Sequence, residues 1–126
     1  MEKADKHIFP VFNKILKRSD KEILLNQRGK VIWLTGLSGS GKTTIARGVE
    51  KELHKRGFVC QVLDGDNIRS GINNNLGFTH DDRLENIRRI SEVSKLFINC
   101  GIITLNSFIS PTEKIRNMAA SIIGDE

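Results

Sequence analysis

Apolar residues fall along the chain in short runs that alternate with longer, helix-spaced stretches. Val31-Ile32-Trp33-Leu34-Thr35, Phe58-Val59-Cys60-Gln61-Val62-Leu63 and Ile102-Ile103-Thr104-Leu105-Asn106-Ser107 have strand length and are mostly apolar. That is the pattern of parallel strands covered on both faces. Between the first two runs, Thr44 to Arg56 carries Ile45, Val49 and Leu53 at i, i+4 and i+8, one face of a helix. Between the second and third, the spacing predicts a long helix from Thr79 to Asn99. Leu84, Ile87, Ile90 or Ser91, Ser94, and Phe97 or Ile98 trace its inward stripe. Thr79 is its cap, with Asp81 and Asp82 suited to the positive end of the first turn. Gly57 and Gly101 stop the two helices. A last helix, capped by Thr112, runs to Ile123. The order is βαβαβα with short connections, which predicts parallel strands and right-handed crossovers in an α/β fold.

Met1 to Gly29 is a polar lead-in interrupted by Pro10. Ser19-Asp20-Lys21-Glu22 has the S-x-x-E form of a capping box. It predicts a short helix, with Ile23, Leu24 and Leu25 as its apolar side, that ends at Gly29. This helix is expected to pack and to carry no chemistry. The 126 residues support one small domain. Its parts are the lead-in, 1–29, and a catalytic-type α/β unit, 30–126. The net charge of +5 comes from dispersed basic residues. That suits an anionic small molecule and argues against nucleic acid as a partner. Cys60 and Cys100 lack metal-ligand spacing and lie in apolar surroundings, so both are expected to be reduced core thiols of a cytoplasmic protein. No apolar run is long enough to span a membrane, and the charged N-terminus lacks the apolar region of a signal peptide.

The chemistry starts after the first strand. Gly36-Leu37-Ser38-Gly39-Ser40-Gly41-Lys42-Thr43 matches G-x-x-x-x-G-K-[ST], the phosphate-binding loop. Its glycines let successive backbone N–H groups turn inward toward phosphate oxygens. Lys42 would reach the β- and γ-phosphates, and the Thr43 hydroxyl would sit on Mg²⁺. The following helix adds its positive end to the same anion site. A plain Gly/Ser linker is the alternative, but strand, glycine loop and helix in succession are the context that distinguishes the motif.

The second strand ends in Asp64-Gly65-Asp66-Asn67. Ligands of open α/β sheets bind beyond the carboxyl ends of the strands, so these carboxylates fall near the phosphate loop. They suit Mg²⁺ positioning or base chemistry in phosphoryl transfer, or form an ordinary D-G turn. Ile68 to Gly77, with Arg69, Gly71, Asn73, Asn74 and Asn75, reads as a polar, turn-rich, substrate-facing loop. Phe78 either stacks on a base or is a hydrophobic staple before the Thr79 cap, against Arg83 or Leu84. Arg83 and Asn86 are i, i+3 neighbours near the start of the long helix, and Arg88 and Arg89 follow one turn later. The arginine fork suits phosphate and sulfate, while a solvated basic face is the common alternative. The helix start beside the ligand edge favours the anion role for Arg83.

Together these residues carry a resemblance. GLSGSGKTT at Gly36–Thr44, DGDNIRSGINNNLGF at Asp64–Phe78, DRLENIRRISEVSKLF at Asp82–Phe97 and FISP at Phe108–Pro111 make the stretch from about Lys30 to Pro111 closely similar to the adenylylsulfate (APS) kinases. The resemblance implies a three-layer P-loop NTPase fold with a parallel sheet. It implies transfer of the ATP γ-phosphoryl group to the ribose 3′-hydroxyl of adenosine 5′-phosphosulfate (APS), the activating step of sulfate assimilation. ATP and Mg²⁺ are the implied cofactors, with Gly36, Leu37, Ser38, Gly39, Ser40, Gly41, Lys42, Thr43 and Thr44 on ATP. Lys42, Asp64, Asp66 and Ser110 take catalytic positions, and Thr43 and Asp64 lie at the metal. Asp66, Arg69, Phe78, Arg83, Asn86, Ile109 and Ser110 face APS, with Phe78 on the adenine and the arginines and Asn86 on the phosphosulfate and ribose. The Ser110 position is often described in the family as a phosphoserine. Direct transfer requires no such intermediate, since positioning and electrostatics do most of phosphoryl-transfer catalysis.

Thr112 stands where many members have an aromatic residue or histidine. Members also continue with two more strands, a basic lid and a second adenine-stacking aromatic. The sequence is therefore expected to be the N-terminal part of such a domain. Its first strand would then present an unpaired edge, with a tendency to self-associate and little APS phosphorylation from residues 1–126 by themselves. The family is commonly dimeric, which makes a homodimer the partner state to test. Another small-molecule P-loop kinase, or a non-catalytic nucleotide-binding module, are the competing functions.

Overall fold

The computed structural model describes residues 8, 10, 14–34, 41–108 and 113–124. The lead-in folds as α1 (Arg18–Leu25), followed by β1 (Lys30–Leu34) and α2 (Lys42–Lys55). Next come β2 (Cys60–Asp64), a short α3 (Gly65–Arg69) and the long α4 (His80–Ile98). The described chain closes with β3 (Ile103–Ser107) and α5 (Glu113–Ile123). The three strands form one parallel sheet in the order β1-β3-β2. The strands are parallel, as expected, and the late strand inserts between the two early ones, an order that the sequence pattern leaves open.

Two apolar layers cover the sheet. Ala46 of α2 packs with Ile103 and Leu105 on one face, with Val49, Leu53 and Val62 around them. On the other face Ile87 and Ile90 of α4 and Ile115 and Ala119 of α5 meet Leu63 and Phe108, and Trp33 packs against them. β3 is buried at all five positions. Its polar members are satisfied only in part: Asn106 Nδ2 donates to Ser94 Oγ at 2.8 Å, and Ser94 and Ser91 donate onward to the Ile90 and Ile87 carbonyls, while buried Thr104 Oγ1 and Asn106 Oδ1 have no hydrogen-bond partner among the described residues. β1 pairs only with β3 among the described residues, and Ile32 on it is 41% exposed. The first strand is thus the sheet edge, as expected.

Several local expectations shift. Ile45 is exposed, and the buried stripe of α2 runs through Ala46 instead, because only that side faces β2 and β3. Ser19 is not the cap of α1. The cap lies two residues earlier, at Lys17, whose N–H donates to Asp20 Oδ2 at 2.9 Å. It ends at Asn26 in the left-handed conformation (φ 53°), not at Gly29. Gly29 is needed for another reason: a Cβ there would lie 2.5 Å from the Ile98 carbonyl oxygen. Ile23 and Leu24 are exposed, so they form no packing face within the described residues. Cys100 is exposed and is not a core thiol, whereas Cys60 is half-buried, and burial raises the pKa of its thiol. No helix among the described residues is long and apolar enough to cross a membrane.

The lead-in is joined to the sheet by polar bonds. Buried Gln27 donates through Nε2 to the carbonyls of Val59 (2.9 Å) and Gly101 (2.7 Å) and accepts the Val59 N–H at 2.8 Å. One side chain thereby holds the chain just ahead of both β2 and β3. Glu22 accepts from Arg18 and from the Gly29 N–H at 2.8 Å, and these bonds lower the pKa of its carboxyl. Gln27→Ala is expected to lower unfolding stability by about 1–3 kcal/mol, since it strands backbone groups away from water. Leu24→Ser, on the exposed side of α1, should change it by no more than about 0.5 kcal/mol. Urea titration of the two variants checks the difference.

Candidate functional site

The register sets Leu34, Ser107 and Asp64 side by side at the carboxyl ends of the three strands. A cleft of about 520 Å³ opens above this row. α2 enters it behind Gly41, which has φ +88° and serves as the N-cap. A Cβ on Gly41 would meet no atom within 4 Å, so the glycine is required by backbone conformation and not by space. Lys42, Thr43 and Thr44, on the first turn of α2, all line the cleft. Thr43 Oγ1 donates to Asp64 Oδ1 at 2.9 Å, which links the start of α2 to the end of β2. The other oxygen of Asp64 accepts the Asp66 N–H at 3.2 Å. Asp64 is therefore the N-cap of α3, and the D-G step is a helix start and not a turn.

α3 delivers Asp66 and Arg69 to the same cleft. Arg69 Nη1 donates to the Gly77 carbonyl at 2.7 Å, and its guanidinium lies 4.4 Å from the centre of the Phe78 ring. A cation over an aromatic face is attracted by the ring quadrupole. Phe78 remains 69% exposed, which rules out the staple and leaves the ring as cleft lining. Ile68 to Gly77 is not simply a surface loop: its first residues belong to α3, and Asn73 within it is completely buried.

From α4 the cleft receives Arg83, Asn86 and Ile87. The basic residues of this helix separate by partner. Arg88 makes two 2.7 Å bonds to Glu85, and Arg89 donates to Glu85 at 2.8 Å and to Asn75 at 2.8 Å. Those two arginines are occupied by structure. Arg83 is exposed and has no partner among the described residues. The bonds from Arg88 first, then Arg89, hold the Glu85 carboxyl at about 2, well below its ordinary 4.5.

Every described residue of the expected site thus lies around one cleft: Gly41 to Thr44 at the start of α2, Asp64, Asp66 and Arg69 at α3, Phe78 on the loop, Arg83 and Asn86 on α4. Gly36, Leu37, Ser38, Gly39, Ser40, Ile109 and Ser110 lie outside the described residues, as do Thr35, Pro111 and Thr112. The sequence reading missed the apolar floor made by Phe108 and Ile115, and the second layer at Asn73. The sequence pattern does place Phe108 on the ligand side, leaving the carboxyl end of β3, but gives it no role in the site. Nothing local sets Asn73 apart from Asn74 and Asn75. No group of three or more His, Cys, Asp or Glu side chains is gathered for a metal among the described residues. The Thr43 hydroxyl beside the Asp64 carboxylate is an all-oxygen pair. It fits a hard cation that keeps water and phosphate oxygens as its remaining ligands.

Comparison with known proteins extends this. The family described as adenylylsulphate kinase matches residues 28–126. The adenylyl-sulfate kinase of Phocaeicola vulgatus is 64% identical over 122 residues, covering 97% of this chain and 60% of that protein. The chain spans about 60% of the length of the curated relatives it matches. Among solved structures, the Mycobacterium tuberculosis APS kinase CysC in complex with AMPPNP and APS superposes with a TM-score of 0.74 at 48% identity. That match covers 76% of this chain and 56% of the other. A hexameric APS kinase from Thiobacillus denitrificans superposes with a TM-score of 0.71 at 33% identity, over 77% of this chain and 20% of that one.

The depressed Glu85 carboxyl carries a stability signature. A carboxylate favoured in the folded state stabilises above its unfolded pKa, and that contribution is lost as pH falls through the folded value. Between about pH 4.5 and about 2, the wild type should therefore lose stability that Glu85→Gln lacks from the outset. Denaturant midpoints of the two proteins at pH 7, 4 and 2.5 should converge toward the acid end.

Proposed function

The chain belongs to the adenylylsulphate kinase family, and from that membership we propose that it transfers the γ-phosphoryl group of ATP to the 3′-hydroxyl of adenosine 5′-phosphosulfate. The products are ADP and 3′-phosphoadenosine 5′-phosphosulfate. The observation that carries the proposal is the convergence of residues from three separate sequence blocks on one cleft at the strand ends. The two substrates divide it. ATP phosphates lie at the start of α2, by Lys42, Thr43 and Thr44, with Gly36 to Ser40 completing the loop. APS lies between α3, Phe78 and the first turns of α4. Phe78 offers an exposed ring for the adenine, backed by Arg69. Arg83 and Asn86 offer donors to the phosphosulfate and ribose. Ile109 and Ser110 complete the APS side on this proposal.

In the transfer the bond from the γ-phosphorus to the β,γ-bridging oxygen breaks, and a bond to the 3′-oxygen forms. The 3′-hydroxyl proton passes to a cleft carboxylate. Asp66 is the better acceptor, because Asp64 already takes hydrogen bonds from Thr43 and from the Asp66 N–H. A bound Mg²⁺, held on the protein side by Thr43 and Asp64, would neutralise charge on the phosphate oxygens. Positioning supplies much of the rest. Self-association, expected from the family, is in keeping with exposed apolar side chains at Ile23, Leu24 and Ile32.

ADP release coupled to NADH oxidation, with APS as acceptor, tests the proposal in the full-length protein. APS-dependent turnover is expected, and ATP binding without it would favour a non-catalytic nucleotide module. Lys42→Ala should lower kcat by at least about 10²-fold with the fold intact by circular dichroism. Near-normal turnover would remove the phosphate-loop assignment. Arg83→Ala should raise KM for APS by roughly tenfold, the size of a lost charge-assisted hydrogen bond, and leave KM for ATP nearly unchanged. An equal effect on both substrates would return Arg83 to a solvated face.

A further inference from the structure

Behind the cleft, a chain of hydrogen bonds has a fixed polarity. Glu85 accepts from Arg89 Nε at 2.8 Å. Arg89 Nη1 donates to Asn73 Oδ1 at 3.3 Å and to Asn75 Oδ1 at 2.8 Å. Asn73 Nδ2 then donates to Asn86 Oδ1 at 2.7 Å. Guanidinium has donors only, so the atom of Asn73 that faces Arg89 has to be its oxygen. The Asn73 nitrogen therefore faces Asn86, and the Asn86 atom that receives it has to be oxygen. Asn86 is left with its Nδ2 group, which has no partner among the described residues, on a side chain that lines the cleft. Asn73 is 0% exposed and Asn86 6% exposed, so water cannot readily substitute for either bond.

We propose that Asn73 is a positioning residue that turns the Asn86 amide so that it presents only N–H donors to the substrate. The inference rests on the proposed APS site. The ligand atoms that fit a donor-only group are the sulfate, phosphate and ribose oxygens of APS. An Asn86 amide free to turn would set its carbonyl oxygen against those oxygens for part of the time, and that orientation repels. The carboxamide thereby works on the anionic side of the cleft without carrying a charge, next to Arg83, which does carry one. Asn73 itself touches no substrate. It acts through the 2.7 Å bond to the Asn86 amide oxygen, beside a longer 3.5 Å bond from the same nitrogen to the Asn86 backbone carbonyl, and Arg89 and Glu85 act through Asn73.

The test uses Asn73→Asp, Asn73→Ala, Asn86→Ala and the double variant Asn73→Ala/Asn86→Ala in the full-length protein. APS and AMPPNP binding are measured by calorimetry, alongside KM for each substrate. Asn73→Asp places an acceptor where Asn86 received a donor, so Asn86 should turn its nitrogen inward. APS binding should weaken by at least about fivefold, with AMPPNP binding unchanged. Asn73→Ala should weaken APS binding less, and should add nothing in the Asn86→Ala background, since both remove the same donor. Additive losses, or equal losses for AMPPNP, would mean a merely structural asparagine and overturn the proposal. A second measurement on the wild type needs no variant to fold. On adding APS, the side-chain ¹⁵N–H resonances of Asn86 should shift while those of Asn73 stay protected from exchange. Unmoved Asn86 resonances on an APS-saturated protein would also overturn it. If the wild type neither binds nor phosphorylates APS, the proposed function fails and takes this inference with it. If the wild type turns over APS and Asn86→Ala weakens APS binding while the Asn73 variants do not, only the positioning role fails.

Discussion

The central strand is the constraint on which the rest depends. β3 enters the sheet last yet lies between β1 and β2, buried along its whole length. A parallel strand in that position must pair on both edges, and its registers with the two neighbours end level, at Leu34, Ser107 and Asp64. That levelling brings the start of α2, which follows β1, and the start of α3, which follows β2, to one height. The bond between Thr43 and Asp64 is its local consequence. Gln27 secures the opposite end, where it holds the residues ahead of β2 and β3 with one buried amide.

On the α4 side, the helix serves two purposes along its length. Its C-terminal half packs Ile90, Ser91, Ser94 and Ile98 against the sheet, with small serines admitting the polar Asn106 of β3. Its N-terminal half turns the same face toward the cleft, so the inward positions there are Arg83, Asn86 and Ile87. Charges on this half divide by geometry. Glu85 pairs with both Arg88 and Arg89, whereas Arg83, only two residues before it, projects from a different face of the helix. A basic helix thus contributes one uncommitted cation to the cleft among the described residues.

The functional elements were legible where the chemistry is local. A glycine loop between a strand and a helix, a carboxylate pair after a second strand, and a threonine cap at 79 are short-range signals, and Asp64, Asp66 and Thr79 stand where those signals put them. Helix faces were less legible. Ile45 fits a helical period as well as Ala46 does, and only the position of β2 and β3 decides which is covered. Ile23 and Leu24 have the hydrophobicity of a core, but nothing in the described fold packs on them. Phe78 had two readings of equal local merit, and its exposure under the Arg69 guanidinium separates them.

The sequence by itself determined the order of elements, the parallel sheet and the residue types around the cleft, because periodicity, caps and glycine-rich turns act over a few residues. The tertiary structure decided which polar groups share a partner. Asn73, Asn74 and Asn75 are identical in type and adjacent, and only one of them is sealed between Arg89 and Asn86. Arg83, Arg88 and Arg89 are likewise one residue type on one helix, told apart by a single carboxylate. Such differences arise from burial and from the one-way donor geometry of guanidinium, and both exist only once the chain has folded.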